Sequence, residues 1–148
     1  MEKTDTILLV EDSENDVLLM RHAFRKAKVT NRVLELPDGE VAIAYLSGVG
    51  EYEDRQRYPL PCIIITDLKM PGVDGFGLLE WLQARPELFR VPKLVLTASG
   101  IESDRKRALE LGACAYFVKP NGLDELISIV IHMDEVWITE HCPLPGAA

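Results

Sequence analysis

Short apolar runs punctuate the chain: Thr6 to Val10, Arg32 to Leu36, Cys62 to Thr66, Val91 to Thr97 and Ala115 to Val118. The first and third are continuously apolar yet too short for helices, which predicts strands buried on both faces. Arg32 to Leu36 alternates and is rich in branched side chains, a second strand signal. Between these runs the apolar period changes. Val17, Leu18, Met20, Ala23, Phe24 and Ala27 recur at helical spacing behind a cap at Asp12 or Ser13. Val41, Ala42, Ala44, Tyr45 and Leu46 do so after the Pro37-Asp38-Gly39 turn, with Gly48 as the stop. Phe76, Leu78, Leu79 and Leu82 mark a helix from about Gly75 to Ala84, and Asp104 to Leu111 marks another, ended by Gly112. Leu126, Ile127, Ile129, Val130 and Met133 line one side of a last helix from about Leu123 to Thr139.

Strands alternating with helices predict one α/β domain on a parallel sheet with right-handed crossovers. In such sheets ligands bind outside the carboxyl ends of the strands, where the strand order reverses. Gly48 to Pro61, with Gly50, Glu51, Glu53, Asp54, Arg55, Arg57, Pro59 and Pro61, reads as an unusually long polar connection, an insertion before the third strand.

Composition narrows the function classes. The 148 residues are 47% hydrophobic and 27% charged, a globular balance, and carry a formal net charge of -8. That charge opposes direct nucleic-acid binding, for which clustered Lys and Arg supply the affinity; Arg105-Lys106-Arg107 reads as a solvated helix face. No apolar run reaches the roughly 20 residues that span a bilayer, and Met1 to Asp5 has no leader pattern, so a cytoplasmic protein with no membrane contact is expected. Cys62, Cys114 and Cys142 are odd in number and form no CxxC pair; reduced thiols are expected.

Charged residues follow three of the strand signals. Glu11 and Asp12 follow the first, Asp67 the third and Lys119 the fifth. On a parallel sheet, three carboxylates and an ammonium would converge there, a setting for a divalent cation beside a phosphoryl group. A carboxylate such as Asp67 can attack phosphorus and become an acyl phosphate. Glu11 and Asp12 would repel each other unless a cation neutralises them, and magnesium accepts a few carboxylates with waters and phosphate oxygens. Each residue also has a plainer reading: Asp67 as a loop cap, Asp12 as a helix cap, Lys119 as a solvated lysine.

Taken together, the Glu11-Asp12 pair, Asp67 in Thr66-Asp67-Leu68-Lys69-Met70-Pro71-Gly72-Val73-Asp74-Gly75, Thr97-Ala98 and Lys119-Pro120, in this order and at these strand ends, resemble the receiver domain of two-component response regulators. The resemblance covers roughly Thr6 to Glu140. It implies a flavodoxin-like, doubly wound five-stranded sheet of order 2-1-3-4-5 with five helices. It also implies Asp67 as phosphoacceptor, with Mg2+, or Mn2+ in its place, held by Glu11, Asp12, Asp67 and the backbone carbonyl of Lys69. Lys119 would neutralise charge, and Thr97 and the Ala98 backbone would face the phosphoryl group. Tyr116 would follow Thr97 as a rotamer switch, and a cis peptide before Pro120 would aim Lys119 inward. The donor would be a phosphohistidine on a sensor histidine kinase. None of His22, His132 and His141 has the context of a kinase histidine. The chain would catalyse only its own phosphorylation and dephosphorylation, with no separate substrate turned over. Lys69 departs from the small polar residue common two places after the phosphoacceptor, which implies an altered phosphate lifetime.

The tail, His141 to Ala148, is too short for an output domain, so a single-domain regulator acting through a downstream protein or a phosphorelay histidine protein is expected. The long connection, the Glu135-Val136-Trp137-Ile138 segment and Cys142-Pro143-Leu144-Pro145 look similar to small regulators paired with bacterial phytochromes. Trp137 and Ile138 are apolar where the core helix should be finishing, and admit two readings: an exposed patch forming a homodimer contact, or packing back on the domain. A haloacid-dehalogenase-type phosphatase would need an acid where Lys69 stands, and a flavodoxin-like cofactor binder would need a phosphate loop where Glu11-Asp12 stand. A constitutive binding module would not need the complete charged set.

Overall fold

The computed structural model describes residues 5–142; the expected Pro143-Leu144-Pro145 ending lies outside them. Its elements are β1 (Ile7–Val10), α1 (Glu14–Lys26), β2 (Val33–Leu36), α2 (Gly39–Ser47), β3 (Ile63–Thr66), α3 (Gly75–Gln83), β4 (Lys93–Thr97), α4 (Glu102–Glu110), β5 (Ala115–Val118), α5 (Leu123–Met133) and a last turn α6 (Thr139–His141). The sheet runs β2-β1-β3-β4-β5 with every pair parallel, the expected doubly wound order.

Side-chain alternation along the strands splits the core into two layers. Ile7, Leu9, Ile63, Ile65, Leu94 and Leu96 pack with Met20 and Phe24 of α1 and Val130 of α5. Leu8, Val10 and Ile64 pack with Tyr45 and Leu46 of α2 and Leu78 and Leu82 of α3. The central strands β1 and β3 are buried throughout, which is why they read as unbroken apolar runs.

The long connection before β3 is held rather than loose. Gly48 caps α2 with φ 70°, a left-handed geometry suited to glycine. The Arg55 guanidinium donates to the carbonyls of Tyr45 and Leu46 at 2.8 Å, satisfying the helix end with a cation where the dipole favours one. Tyr45, Tyr52 and Tyr58 meet edge to face, with ring centroids 5.1–6.1 Å apart.

Three expectations are corrected. Cys62 and Cys142 are not reduced thiols but a disulfide; Cys114 is free and exposed. Their Cα atoms stand 5.3 Å apart, within bridging range, although 80 residues separate them in the chain. The Asn31 side chain ties the same corner, donating to the carbonyls of Asp5 and Cys142. The last helix is not continuous: a π turn spans Asp134–Ile138. Such a turn shifts the helix face, and Ile138 becomes 1% exposed while Trp137 lies edge-on to Phe117 and His132. They form no exposed patch; the segment packs back on its own domain. Finally, no cis peptide occurs among the described residues, so Lys119–Pro120 is trans. Among those residues no helix is long and apolar enough to cross a membrane.

Candidate functional site

Strand register sets the site. Val10 of β1 pairs with Thr66 of β3, so Glu11 and Asp67 leave neighbouring strands at one level, and the Asp67 amide donates to the Val10 carbonyl at 3.1 Å. Glu11 and Asp67 are each 6% exposed. Asp12 is exposed beside them, and one ligand oxygen from each of Glu11, Asp12 and Asp67 lies within 4.8 Å of the others. The helix that follows is capped by Ser13, whose hydroxyl accepts from the Asp16 amide, so the carboxylate of Asp12 is not used as the cap.

Lys119 leaves β5, two strands from β3, a gap of roughly 10 Å at ordinary strand spacing that a long flexible stem can cross. Its amide donates to the Thr97 carbonyl at 2.7 Å, fixing the base of the side chain at the end of β4. Its ammonium then reaches Asp67 at 2.9 Å, Glu11 at 2.6 Å and Asp16 at 2.9 Å. Asp16 is the residue sequence reading missed. It sits one helical turn beyond Asp12 on α1, a spacing that puts two acids on one helix side, but nothing local ties it to Lys119.

The electrostatics follow from burial and crowding. Burial raises the Glu11 pKa to about 7; the Asp67 charge adds to the rise, against the hydrogen bond from Lys119. Burial alone would lower Lys119, but its hydrogen bonds to Asp67, Glu11 and Asp16 outweigh that and raise its pKa. The second oxygen of Asp67 accepts from the Leu68 amide at 2.6 Å and more weakly from that of Lys69 at 3.4 Å. This tight loop needs Gly75 at the start of α3, because a Cβ there would lie 2.2 Å from the Asp67 carbonyl oxygen.

The other expected residues sit around this cluster without joining it. Thr97 is fully buried, and its hydroxyl accepts from the Ser99 amide at 3.4 Å. Ala98 is exposed directly after β4. The Tyr116 hydroxyl donates to the Ser99 carbonyl at 2.8 Å, and burial raises its pKa. The Lys69 ammonium points away from Asp67 to Asp104, 3.8 Å off, with the side chain 66% exposed. Trp137 and Ile138 belong to the far layer of the core.

Three carboxylates thus meet one ammonium, and a fourth, that of Asp12, stands beside Glu11 and Asp67. Two of them are buried, and the three that lie within 4.8 Å are all hard oxygen donors. This donor set fits a divalent cation that takes oxygen ligands. The response regulator receiver domain model matches residues 7–131. The chain belongs to this family. As a receiver domain it is 36% identical over 141 residues to the response regulator Rcp1 of Synechocystis sp., across 95% of this chain and 93% of Rcp1. The crystal structure of the phosphorylated cyanobacterial phytochrome response regulator RcpA superposes with a TM-score of 0.84 at 33% identity, covering 93% of this chain and 96% of that one. The Mn(2+)-bound form of Rcp1 gives 0.82 at 34% identity, covering 96% and 99%. This receiver domain is therefore related to phytochrome response regulators.

Proposed function

We propose that the protein accepts a phosphoryl group from a sensor histidine kinase onto Asp67 and signals through a phosphorylation-dependent change in protein binding. The observation that carries this reading is the buried Asp67 carboxylate, bound by the Lys119 ammonium at 2.9 Å and clustered with Glu11 and Asp12. In the reaction a carboxylate oxygen of Asp67 attacks phosphorus. The new P–O bond replaces the P–N bond of a phosphohistidine, whose electron pair returns to the imidazole nitrogen.

Glu11, Asp12 and Asp67 would hold Mg2+, with the Lys69 carbonyl as a further oxygen. The bound cation would neutralise charge on the phosphoryl oxygens. Lys119 does the corresponding work from the protein side: it holds Asp67 in place at rest and offers a compact positive charge to the transferred group. Glu11 and Asp16 keep that ammonium charged and fix its position. Thr97, at the end of β4 with Ala98 exposed beside it, would turn its hydroxyl toward the new charge. Tyr116 shares the Ser99 segment with Thr97 and would exchange its bond to the Ser99 carbonyl for the space Thr97 leaves.

The likeness to Rcp1 and RcpA supports a bacteriophytochrome as the kinase. The net charge of -8 supports a protein rather than nucleic acid as the downstream partner. The test is transfer from an autophosphorylated bacteriophytochrome kinase. Label should pass to the native chain in the presence of magnesium and not to Asp67→Asn, and should move the NMR signals of Tyr116. Transfer to Asp67→Asn at the native rate would refute the assignment of the acceptor.

A further inference from the structure

At the amino end of β4, a cavity of about 410 Å³ opens between the carboxyl-terminal ends of α3 and α4. Leu79 and Leu82 of α3 and Leu111 after α4 give it apolar surface, Gln83 and Gly112 give it polar surface, and Phe89, 59% exposed, stands at its rim. Lys93 also lines it. This lysine is 7% exposed, and among the described residues its ammonium makes one hydrogen bond, to the Leu88 carbonyl at 2.6 Å.

No carboxylate lies within ion-pair reach of that ammonium among the described residues. Burial lowers its pKa, with only the neighbouring Cys114 acting the other way. An ammonium carries three donors, and a buried charge is costly unless it is paired and fully hydrogen-bonded. The Leu88 carbonyl, at the end of the short turn Pro86–Leu88, takes one of the three, and the cavity that Lys93 lines is where a partner for the others can stand. The missing component is an anion. The walls determine what kind: besides Lys93 the lining offers the Gln83 side-chain amide and Gly112 as polar neighbours and no second cation, enough for the two oxygens of a carboxylate and too little for the charge of a phosphate, while three leucines and a phenylalanine supply the apolar surface. They fit a hydrocarbon chain, and the volume falls in the lower part of the ordinary range for small-molecule pockets.

We propose that this cavity is a binding site for a small aliphatic monocarboxylate, whose carboxylate pairs with Lys93 and whose chain lies against Leu79, Leu82 and Leu111. An occupant would touch α3 and α4 together, on the sheet face where β4 carries Lys93 at one end and Thr97 at the other. The proposal goes beyond phosphoryl transfer at Asp67 and does not depend on it.

The test is a methyl NMR titration of the native protein with hexanoate, hexanol and inorganic phosphate. Hexanoate should give saturable shifts at Leu79, Leu82 and Leu111, with hexanol roughly tenfold weaker or more for want of the charge-assisted hydrogen bond, and phosphate roughly tenfold weaker or more for want of the buried chain. Lys93→Met, folded by circular dichroism, should bind hexanoate no better than hexanol. Hexanoate binding equal to that of hexanol in the native protein would overturn the proposal, as would equal hexanoate affinity in folded Lys93→Met. Equally tight phosphate, or shifts centred elsewhere, would overturn it too. Should Lys93→Met fail to fold, the three-ligand comparison on the native protein decides.

Discussion

At the carboxyl end of the sheet, the Lys119 ammonium touches three carboxylates at 2.6 to 2.9 Å, and its pKa is raised. At the amino end, the Lys93 ammonium has one hydrogen bond, to a carbonyl, and no carboxylate partner among the described residues, and its pKa is lowered. The same side chain on the same sheet becomes a committed cation in one place and a strained one in the other, according to whether anions accompany it into the interior. The two ends are also closed differently. The amino end is tied covalently through Cys62 and Cys142, with Asn31 fastening the same corner. The carboxyl end is held by ions that a cation or a phosphoryl group can rearrange. The proposed phosphoryl switch would use that difference: one end stays fixed while the other changes its charge.

The largest break should come at the fixed end. The bridge closes a loop of 80 residues by sequence separation, for which chain entropy gives roughly 4–5 kcal/mol of stability. Cys142→Ser should therefore lower the stability measured by urea unfolding by about that amount. Adding dithiothreitol should remove most of the difference between variant and native protein.

The ionic end should respond next. Lys119→Met leaves Glu11, Asp16 and Asp67 facing one another without a counter-charge. Breaking a fully buried pair costs roughly 3–5 kcal/mol; with the lysine side chain 17% exposed, a loss of ~2–3 kcal/mol is expected without metal. Magnesium should then stabilise the variant more than the native protein, read as the shift in urea midpoint.

The smallest effect has the opposite sign. Lys93→Met should stabilise the protein by about 1 kcal/mol at neutral pH by removing a buried, unpaired charge. The pH dependence follows from the lowered pKa. Between the folded value and the ordinary 10.5, the unfolded chain binds more protons than the folded one, so native stability rises with pH across that window. The advantage of Lys93→Met should shrink as pH approaches 10.5, as measured by paired urea titrations. A constant difference would mean that Lys93 is not strained by its charge.

These contrasts also mark what the sequence could and could not disclose. The strands were legible because burial on both faces leaves an unbroken apolar run, as in Ile7-Leu8-Leu9-Val10 and Ile63-Ile64-Ile65. Glu11, Asp67 and Lys119 were legible because each follows an apolar run directly, and Asp12 because it adjoins Glu11. Asp16 was not, because its relation to Lys119 spans 103 residues and is made only when α1 packs over the sheet. The disulfide was hidden for the same reason: spacing along the chain says nothing of which cysteines meet. The π turn left no local signature, so the sequence could not decide between an exposed patch and packing for Trp137 and Ile138; the turn buries Ile138 and lays Trp137 against the core. Lys93 read as part of a strand, and its isolation appears only when no acid arrives from α3 or α4.

The central claim is that the ionic end receives a phosphoryl group on Asp67. Intact mass after incubation with magnesium and acetyl phosphate tests it most directly, with the native chain, Asp67→Asn and a magnesium-free control side by side. The account predicts a single phosphoryl increment on the native chain with magnesium, and none on Asp67→Asn or without the cation. An increment of equal yield on Asp67→Asn, or no increment on the native chain from either acetyl phosphate or a panel of phosphorylated kinases, would contradict it.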